Sequence, residues 1–183
     1  MHVRLVATAA ALVLLAGCGA AEAAAPAGPA DDGPSLTVAD VPAGPAEDVV
    51  LTLLGGADNG AAGEGVALSL EQVEQLGTRE LEVYEPFLEQ DVSFTVVPLA
   101  DVLALAELDP DVTTLHTIAY NEYAVDITRE TAETPGAWLA TRADGEPIAV
   151  ADGGPTRVVF TDEHPEAGDE ALWIWSIATV EPA

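Results

Sequence analysis

The chain has 183 residues with 32 acidic and five basic side chains, which gives a formal net charge of −27 at pH 7. A chain this acidic repels the phosphates of nucleic acids and anionic lipid surfaces, so DNA and RNA are excluded as partners. Most of the acidic side chains are expected to form a solvated surface.

Residues 1–17 have the pattern of a secretory signal peptide, with a positive charge at Arg4, an apolar core and small residues before Cys18. The apolar stretch is shorter than the roughly 20 residues that span a bilayer. The run Leu15-Ala16-Gly17-Cys18 resembles the lipobox of bacterial lipoproteins, in which the cysteine carries a diacylglycerol. The resemblance implies an exported protein, held by lipid on the extracytoplasmic face of the cell membrane. An ordinary signal peptide with a chance cysteine is the alternative.

Cys18 is the only cysteine of the chain. If lipid occupies it, the folded part has no thiol. Disulfides, thiolate zinc sites, iron–sulfur clusters and cysteine nucleophiles are then excluded.

Residues 18–48 consist mainly of alanine, proline, glycine and acids. This composition buries too little apolar surface to offset chain entropy, so it predicts a disordered linker after the lipidated cysteine. Residues 49–183 are long enough for one domain.

The first half of that domain predicts short strands and two capped helices. Strands are expected at Val49–Leu54, around Leu81–Val83 and at Val92–Val96, with a glycine-rich loop over 55–65. Ser69 and Gln72 form a capping-box pattern, which predicts a helix over Leu70–Leu76 that stops at Gly77. Pro98 suits a first helical position, and the apolar side chains of the helix that follows are Leu99, Val102, Leu103 and Ala106.

The second half predicts two hairpins and two further strands. The predicted hairpin strands are Val112–Ala119 with Tyr123–Ile127 and Trp138–Arg142 with Pro147–Val150. Asp144-Gly145 is a strong turn signal, whereas Glu122 fits a left-handed turn position poorly. Arg157–Phe160 and Leu172–Val180 complete the set, and the last strand is apolar on both faces, which is typical of a central strand. These elements predict an α+β fold, mainly mixed β-sheets with a few short helices.

The order of these segments resembles a known family. The segments that carry the resemblance are Phe94 through Val97-Pro98-Leu99-Ala100-Asp101-Val102-Leu103, then Tyr123-Ala124-Val125-Asp126-Ile127, Leu139-Ala140-Thr141-Arg142-Ala143-Asp144-Gly145-Glu146-Pro147-Ile148, Gly153-Gly154-Pro155-Thr156-Arg157-Val158-Val159 and Trp173-Ile174-Trp175-Ser176-Ile177. They resemble the oxidoreductase molybdopterin-binding domain of the sulfite oxidase family, especially its small single-domain bacterial members. The resemblance implies the sulfite oxidase fold, which in the full enzymes surrounds a molybdenum–pterin cofactor.

The chain departs from that family at the metal ligand. The resemblance places the ligating cysteine in the segment that corresponds here to about Leu115–Tyr120, which reads Leu-His-Thr-Ile-Ala-Tyr. His116 would be a neutral, harder substitute for a thiolate, and a strand histidine satisfied by a backbone partner is the preferred interpretation. No metal ligand and no catalytic residue is predicted.

Candidate cofactor-binding residues follow from the matched segments and their surroundings. Arg142 and Arg157 are the basic side chains in matched segments, although pairing with surface acids is the preferred interpretation for both. Trp173 and Trp175 are expected on one strand face, where aromatic side chains usually pack, but aromatics that line an exposed cleft could stack on a flat ligand. The candidate set is Arg142, Arg157, His116, Tyr120, Asn121, Tyr123 and Trp175.

Three hypotheses for the function follow. The first is a tethered binding or accessory module that keeps the fold without its redox centre, with a small ligand or an extracytoplasmic protein as partner and no cofactor. The second is a molybdopterin-dependent oxidoreductase with metal ligation by residues other than cysteine. The third is a structural protein-interaction domain.

Overall fold

Two five-stranded sheets hold most of the regular structure in the computed structural model, which describes residues 48–55 and 65–183. The predicted signal peptide, Cys18, the linker up to residue 47 and most of the glycine-rich loop lie outside the described residues. Their predictions therefore stay predictions.

The first sheet is mixed. Its strands, in spatial order, are β2 (Val66–Ser69), β1 (Val49–Leu53), β10 (Ile177–Pro182), β5 (Thr114–Ala119) and β6 (Ala124–Thr128). β1 and β10 run parallel, and the other neighbours are antiparallel. The predicted central position of the last strand is confirmed, because β10 lies between β1 and β5.

The second sheet is antiparallel. Its strands are β3 (Arg79–Glu85), β4 (Gln90–Pro98), β7 (Ala137–Ala143) and β8 (Glu146–Pro147), with β9 (Arg157–Phe160) also paired to β7. Two hydrogen bonds join the chain around β9 to the chain around the start of β10. The Val158 amide donates to the Ile174 carbonyl at 2.9 Å, and the Ile177 amide donates to the Thr156 carbonyl at 3.1 Å.

The helices are short. They are α1 (Leu70–Glu74), α2 (Leu99–Ala104) and α3 (Arg129–Glu133), and within the described residues no helix is long and apolar enough to cross a membrane. The capping box at α1 is confirmed, since the Gln72 amide donates to Ser69 Oγ at 3.3 Å and the Ser69 amide to Gln72 Oε1 at 2.8 Å. The apolar side chains predicted for α2 are all buried, but Pro98 caps the helix instead of being its first residue.

The core receives side chains from both sheets and from α2. Its largest fully buried apolar members are Leu51, Leu53, Leu68, Phe94, Leu105, Leu115, Leu139, Phe160, Ile174 and Ile177. The α+β, mainly β fold class is therefore confirmed.

Two predicted element assignments are wrong, and one helix was not predicted. Leu172–Val180 is not one strand, because a 3₁₀ turn covers Glu170–Leu172, the chain is irregular until Ser176, and Ser176 has φ +53°. Strand β8 stops at Pro147, and the predicted strand end at Val150 lies in a 3₁₀ turn over Val150–Asp152. Helix α3 was not predicted, since its only buried residue is Ala132 and no apolar period marks it.

Candidate functional site

An open cleft of about 450 Å³ lies beside the turn that joins β5 to β6. We call it the aromatic cleft, because four of its lining residues are aromatic. It is lined by Phe87, Asn121, Tyr123, Glu170, Ala171, Trp173, Ile174 and Trp175. Three of the predicted candidates, Asn121, Tyr123 and Trp175, therefore line one cleft.

The β5–β6 turn holds Tyr123 at the mouth of the cleft. Asn121 Oδ1 accepts the Tyr123 amide at 3.1 Å, and the Ala119 amide donates to the Tyr123 carbonyl at 2.8 Å. Glu122 takes the left-handed conformation with φ +66°, so the predicted turn forms despite the poorly suited residue. The Tyr123 side chain stays 53% exposed and available for contact.

Trp173 forms a fixed, buried part of the cleft. Its indole Nε1 donates to the Ala167 carbonyl at 3.0 Å, and its ring meets Phe160 edge to face at 5.9 Å between centroids. Asp169 Oδ1 accepts the Ala171 amide at 3.1 Å and so caps the 3₁₀ turn that carries Glu170. Trp173 and Trp175 do not share a strand face, because neither lies in a strand.

Trp175 is packed on several sides. The Phe87 ring stands at 79° to it with centroids 5.5 Å apart. Gly153 lies so close that a Cβ there would be 2.6 Å from Trp175 Cδ2, and the Ser176 amide donates to the Gly153 carbonyl at 2.7 Å. Only glycine fits this close approach at φ +88°.

Arg157 lies against Trp175 inside the protein. Its Cζ is 4.3 Å from the Trp175 ring centroid and 5.6 Å from that of Phe94. The guanidinium is paired with the carboxylate of Glu85, and both side chains are almost fully buried. Burial lowers the pKa of Arg157, and the hydrogen bond and charge of Glu85 act in the opposite direction. The predicted pairing with an acid is thus correct in kind, but the pair is in the core and not on the surface.

Glu85 was not predicted as a site residue. It follows Leu81 and Val83 on the inward face of β3, so the alternating pattern places an acid where an apolar residue is expected. This interruption of the apolar pattern is the sequence feature that could have identified Glu85 as a buried acid. Glu85 Oε2 also accepts the Leu88 amide at 2.6 Å, which ties the turn carrying Phe87 to the buried pair.

Arg142 forms an ion pair outside the aromatic cleft. It pairs with Glu74 of α1 through Nε at 2.7 Å and Nη2 at 3.2 Å. The hydrogen bond and the charge of Glu74 raise the pKa of Arg142. The pairing with an acid that the sequence favoured for Arg142 is present, and this side chain does not line the aromatic cleft.

The side chains of His116 and Tyr120 also form their hydrogen bonds outside the lining of the aromatic cleft. His116 Nδ1 lies 2.7 Å from Asp126 Oδ1 on the neighbouring strand, so its partner is a carboxylate and the expected backbone partner is wrong. The Tyr120 hydroxyl donates to the Val50 carbonyl at 2.9 Å, and partial burial raises the pKa of Tyr120.

A larger cleft of about 710 Å³ is formed by β3, the start of β7 and the loop after β9. The Arg79 guanidinium lies over the Trp138 ring there, 5.6 Å from its centroid. The acids around it are Glu82, Asp91, Glu133, Asp162 and Glu163. None of the predicted candidates lines this cleft.

Within the residues that the structure describes, no three His, Cys, Asp or Glu side chains are grouped closely enough to hold a metal ion. The loop around His164 carries several acids, but it contains no such group either. His164 is buried, with Nε2 at 3.0 Å from the Thr131 carbonyl and Nδ1 accepting the Glu166 amide at 3.1 Å.

Comparison with known proteins identifies one family. The family model described as oxidoreductase molybdopterin binding domain matches residues 66–180. No curated protein matches the chain. Among solved structures, the sulfane dehydrogenase SoxCD from Paracoccus pantotrophus aligns with 16% sequence identity and a TM-score of 0.49, over 77% of this chain and 39% of that one. The chain thus covers about two fifths of the length of that protein.

Proposed function

This chain belongs to the oxidoreductase molybdopterin-binding domain family, and from that premise we propose that it is a binding or accessory module of the fold without a molybdenum centre. We further propose that lipid on Cys18 tethers it to the extracytoplasmic face of the membrane. The observation that carries the first proposal is the donor set of strand β5 and of the cleft beside it.

Strand β5 does not suit the metal as the family binds it. The resemblance places the ligating thiolate at about Leu115–Tyr120, and no residue of that segment carries sulfur. Leu115, Thr117 and Ala119 point into the protein, and His116 is held by Asp126. A neutral imidazole already bound to a carboxylate is a poor replacement for a soft anionic ligand.

The arginines do not suit a pterin phosphate either. Such a group needs converging donors with free capacity. Arg129, Arg142 and Arg157 each pair with a carboxylate, and Arg79 lies over the Trp138 ring. Arg157 Nε is buried and has no hydrogen-bond partner among the described residues. These four side chains lie on four different elements and do not converge on one site. The residues present therefore do not fit the family's cofactor, and no step of a reaction is assigned to it.

The aromatic cleft supports a binding role. It begins where β5 ends, directly after the segment that would carry the thiolate, since Asn121 and Tyr123 belong to the turn after that strand. Its volume of about 450 Å³ falls within the range of small-molecule sites, and aromatic walls with a few polar groups are typical of them.

Elemental analysis of the full-length protein, purified from cells that make the molybdenum cofactor, tests the first proposal. We expect molybdenum and tungsten far below one equivalent and no pterin fluorescence after denaturation. Stoichiometric metal with pterin would overturn the proposal in favour of the oxidoreductase. If no small molecule raises the melting temperature, the structural interaction domain replaces the binding module.

A Cys18→Ser variant tests the tether. The wild-type protein should fractionate with membranes and enter the detergent phase of Triton X-114, because two or more acyl chains give a stable anchor. The variant should be released into the aqueous phase. Equal release of both proteins would contradict the tether and leave the first proposal untouched.

A further inference from the structure

We infer that the aromatic cleft binds a small organic cation, such as a quaternary ammonium group or an alkylated amine. The inference rests on the proposed function, because it names the chemistry of the ligand that the binding module takes. It is carried by the aromatic walls and by the sign of the charge around them.

Two of the walls form a corner. The Phe87 and Trp175 rings stand nearly perpendicular, at 79°, with centroids 5.5 Å apart. Tyr123, 53% exposed, and Phe87, 48% exposed, offer ring surface to solvent. Aromatic faces carry the negative part of the ring quadrupole, so a cation within about 6 Å of the ring centroids is attracted.

The charges around the cleft favour the same ligand. Its lining contains the carboxylate of Glu170 and no basic side chain. The Arg157 guanidinium lies over the Trp175 ring, so the exposed rings left for a ligand are those of Phe87 and Tyr123. The charge of Arg157 is buried and paired with Glu85. A cation that enters therefore meets a carboxylate and ring faces, whereas an anion would meet Glu170 with no counter-charge.

The whole chain adds a long-range contribution. A net charge of −27 raises the local concentration of cations at the surface and repels anions. A neutral flat molecule would also contact the rings. It would not be attracted by the charges at the cleft or by the net charge of the chain. The cleft therefore discriminates by charge, and a neutral molecule of the same shape is the appropriate comparison.

The test uses choline chloride and its uncharged isostere 3,3-dimethylbutan-1-ol as probes of the full-length protein. Tryptophan fluorescence is the readout, since Trp173 and Trp175 line the cleft and the chain has three tryptophans. We expect saturable binding of choline and roughly tenfold weaker binding of the alcohol.

Variants locate the binding. Phe87→Ala should weaken choline binding by roughly tenfold through loss of one ring, and Glu170→Gln by about threefold to tenfold. Glu163→Gln is the matched control, because it removes one carboxylate from the larger cleft. It should leave choline binding unchanged.

Three results would overturn the inference. The first is the absence of saturable choline binding to the wild-type protein. Equal affinity for choline and the alcohol would make the cleft a site for neutral molecules, and equal effects of Glu163→Gln and Glu170→Gln would reduce the binding to general surface charge. None of these results bears on the metal content, which tests the proposed function separately.

Discussion

Glu85 supports two walls of the aromatic cleft, because its carboxylate bonds to two parts of the fold. One oxygen pairs with Arg157, which supports the Trp175 ring, and the other accepts the Leu88 amide beside Phe87. Both rings of the corner are thus positioned by one buried carboxylate. An ion pair at this depth is costly to desolvate and costly to break.

We expect Glu85→Gln to destabilise the protein by about 3–5 kcal/mol, because it leaves the Arg157 charge buried without a partner. Urea unfolding monitored by circular dichroism measures the loss. The double variant Glu85→Leu with Arg157→Met should recover most of it, since it removes both charges. Glu74→Gln is the control: its pair with Arg142 is partly exposed, so its cost should stay below about 1 kcal/mol.

Tyr120 makes stability depend on pH in the alkaline range. Burial raises the pKa of Tyr120 above its ordinary value of 10.0, so the folded state holds the phenolic proton more tightly than the unfolded state. This contribution to stability is complete below pH 10 and is lost as the pH rises through the folded pKa.

Tyr120→Phe should therefore reduce the decline in unfolding free energy above pH 10, although it also removes the hydrogen bond to the Val50 carbonyl. Urea unfolding at several pH values measures both effects. Identical alkaline slopes for the two proteins would contradict the assignment to Tyr120.

The elements that could be predicted from the sequence are those whose signal lies within a few neighbouring residues. Ser69 and Gln72 carry the whole capping box, and Asp144-Gly145 has φ values of +51° and +82°, as a two-residue hairpin turn of this type requires. The segment before β10 could not be predicted in this way. Trp173 and Ile174 are both buried, so buried and exposed residues do not alternate there as they do in a half-buried strand. The bend at Ser176 is held by a hydrogen bond from the Ser176 amide to the carbonyl of Gly153, which is distant along the chain.

The left-handed backbone conformation in the β5–β6 turn can be tested by substitution. Glu122 has φ +66°, a conformation that costs a residue with a Cβ about 1 kcal/mol and that glycine adopts freely. Glu122→Gly should therefore stabilise the protein by about 1 kcal/mol in urea unfolding. Glu122→Gln removes the charge but keeps the strain, so an equal gain from it would assign the effect to charge and not to conformation.

The candidate site depends on the fold of the whole molecule, because it brings together residues that lie far apart along the chain. Only part of it could therefore be predicted. Asn121 and Tyr123 could be selected from their place beside a turn, but their meeting with Trp175 depends on β5 pairing with β10. The Arg157–Glu85 pair joins residues 72 positions apart. Alternation along β3 places Glu85 on the inward face, but no local pattern identifies its partner. Arg142 was a candidate because it lies in a segment that resembles the family, and His116 because it lies where the resemblance places the metal ligand. In the structure each pairs with a carboxylate, and neither lines the cleft.

The net charge sets the response of the whole molecule to salt. With 32 acidic and five basic side chains, repulsion between carboxylates outweighs the few ion pairs and favours the expanded chain. Sodium chloride shortens the Debye length from about 30 Å at 0.01 M to about 3 Å at 1 M and so screens that repulsion. The melting temperature should rise across this range by several degrees. Near pH 4, where carboxyl groups take up protons, the same salt should raise it much less, and an undiminished rise there would contradict the electrostatic cause.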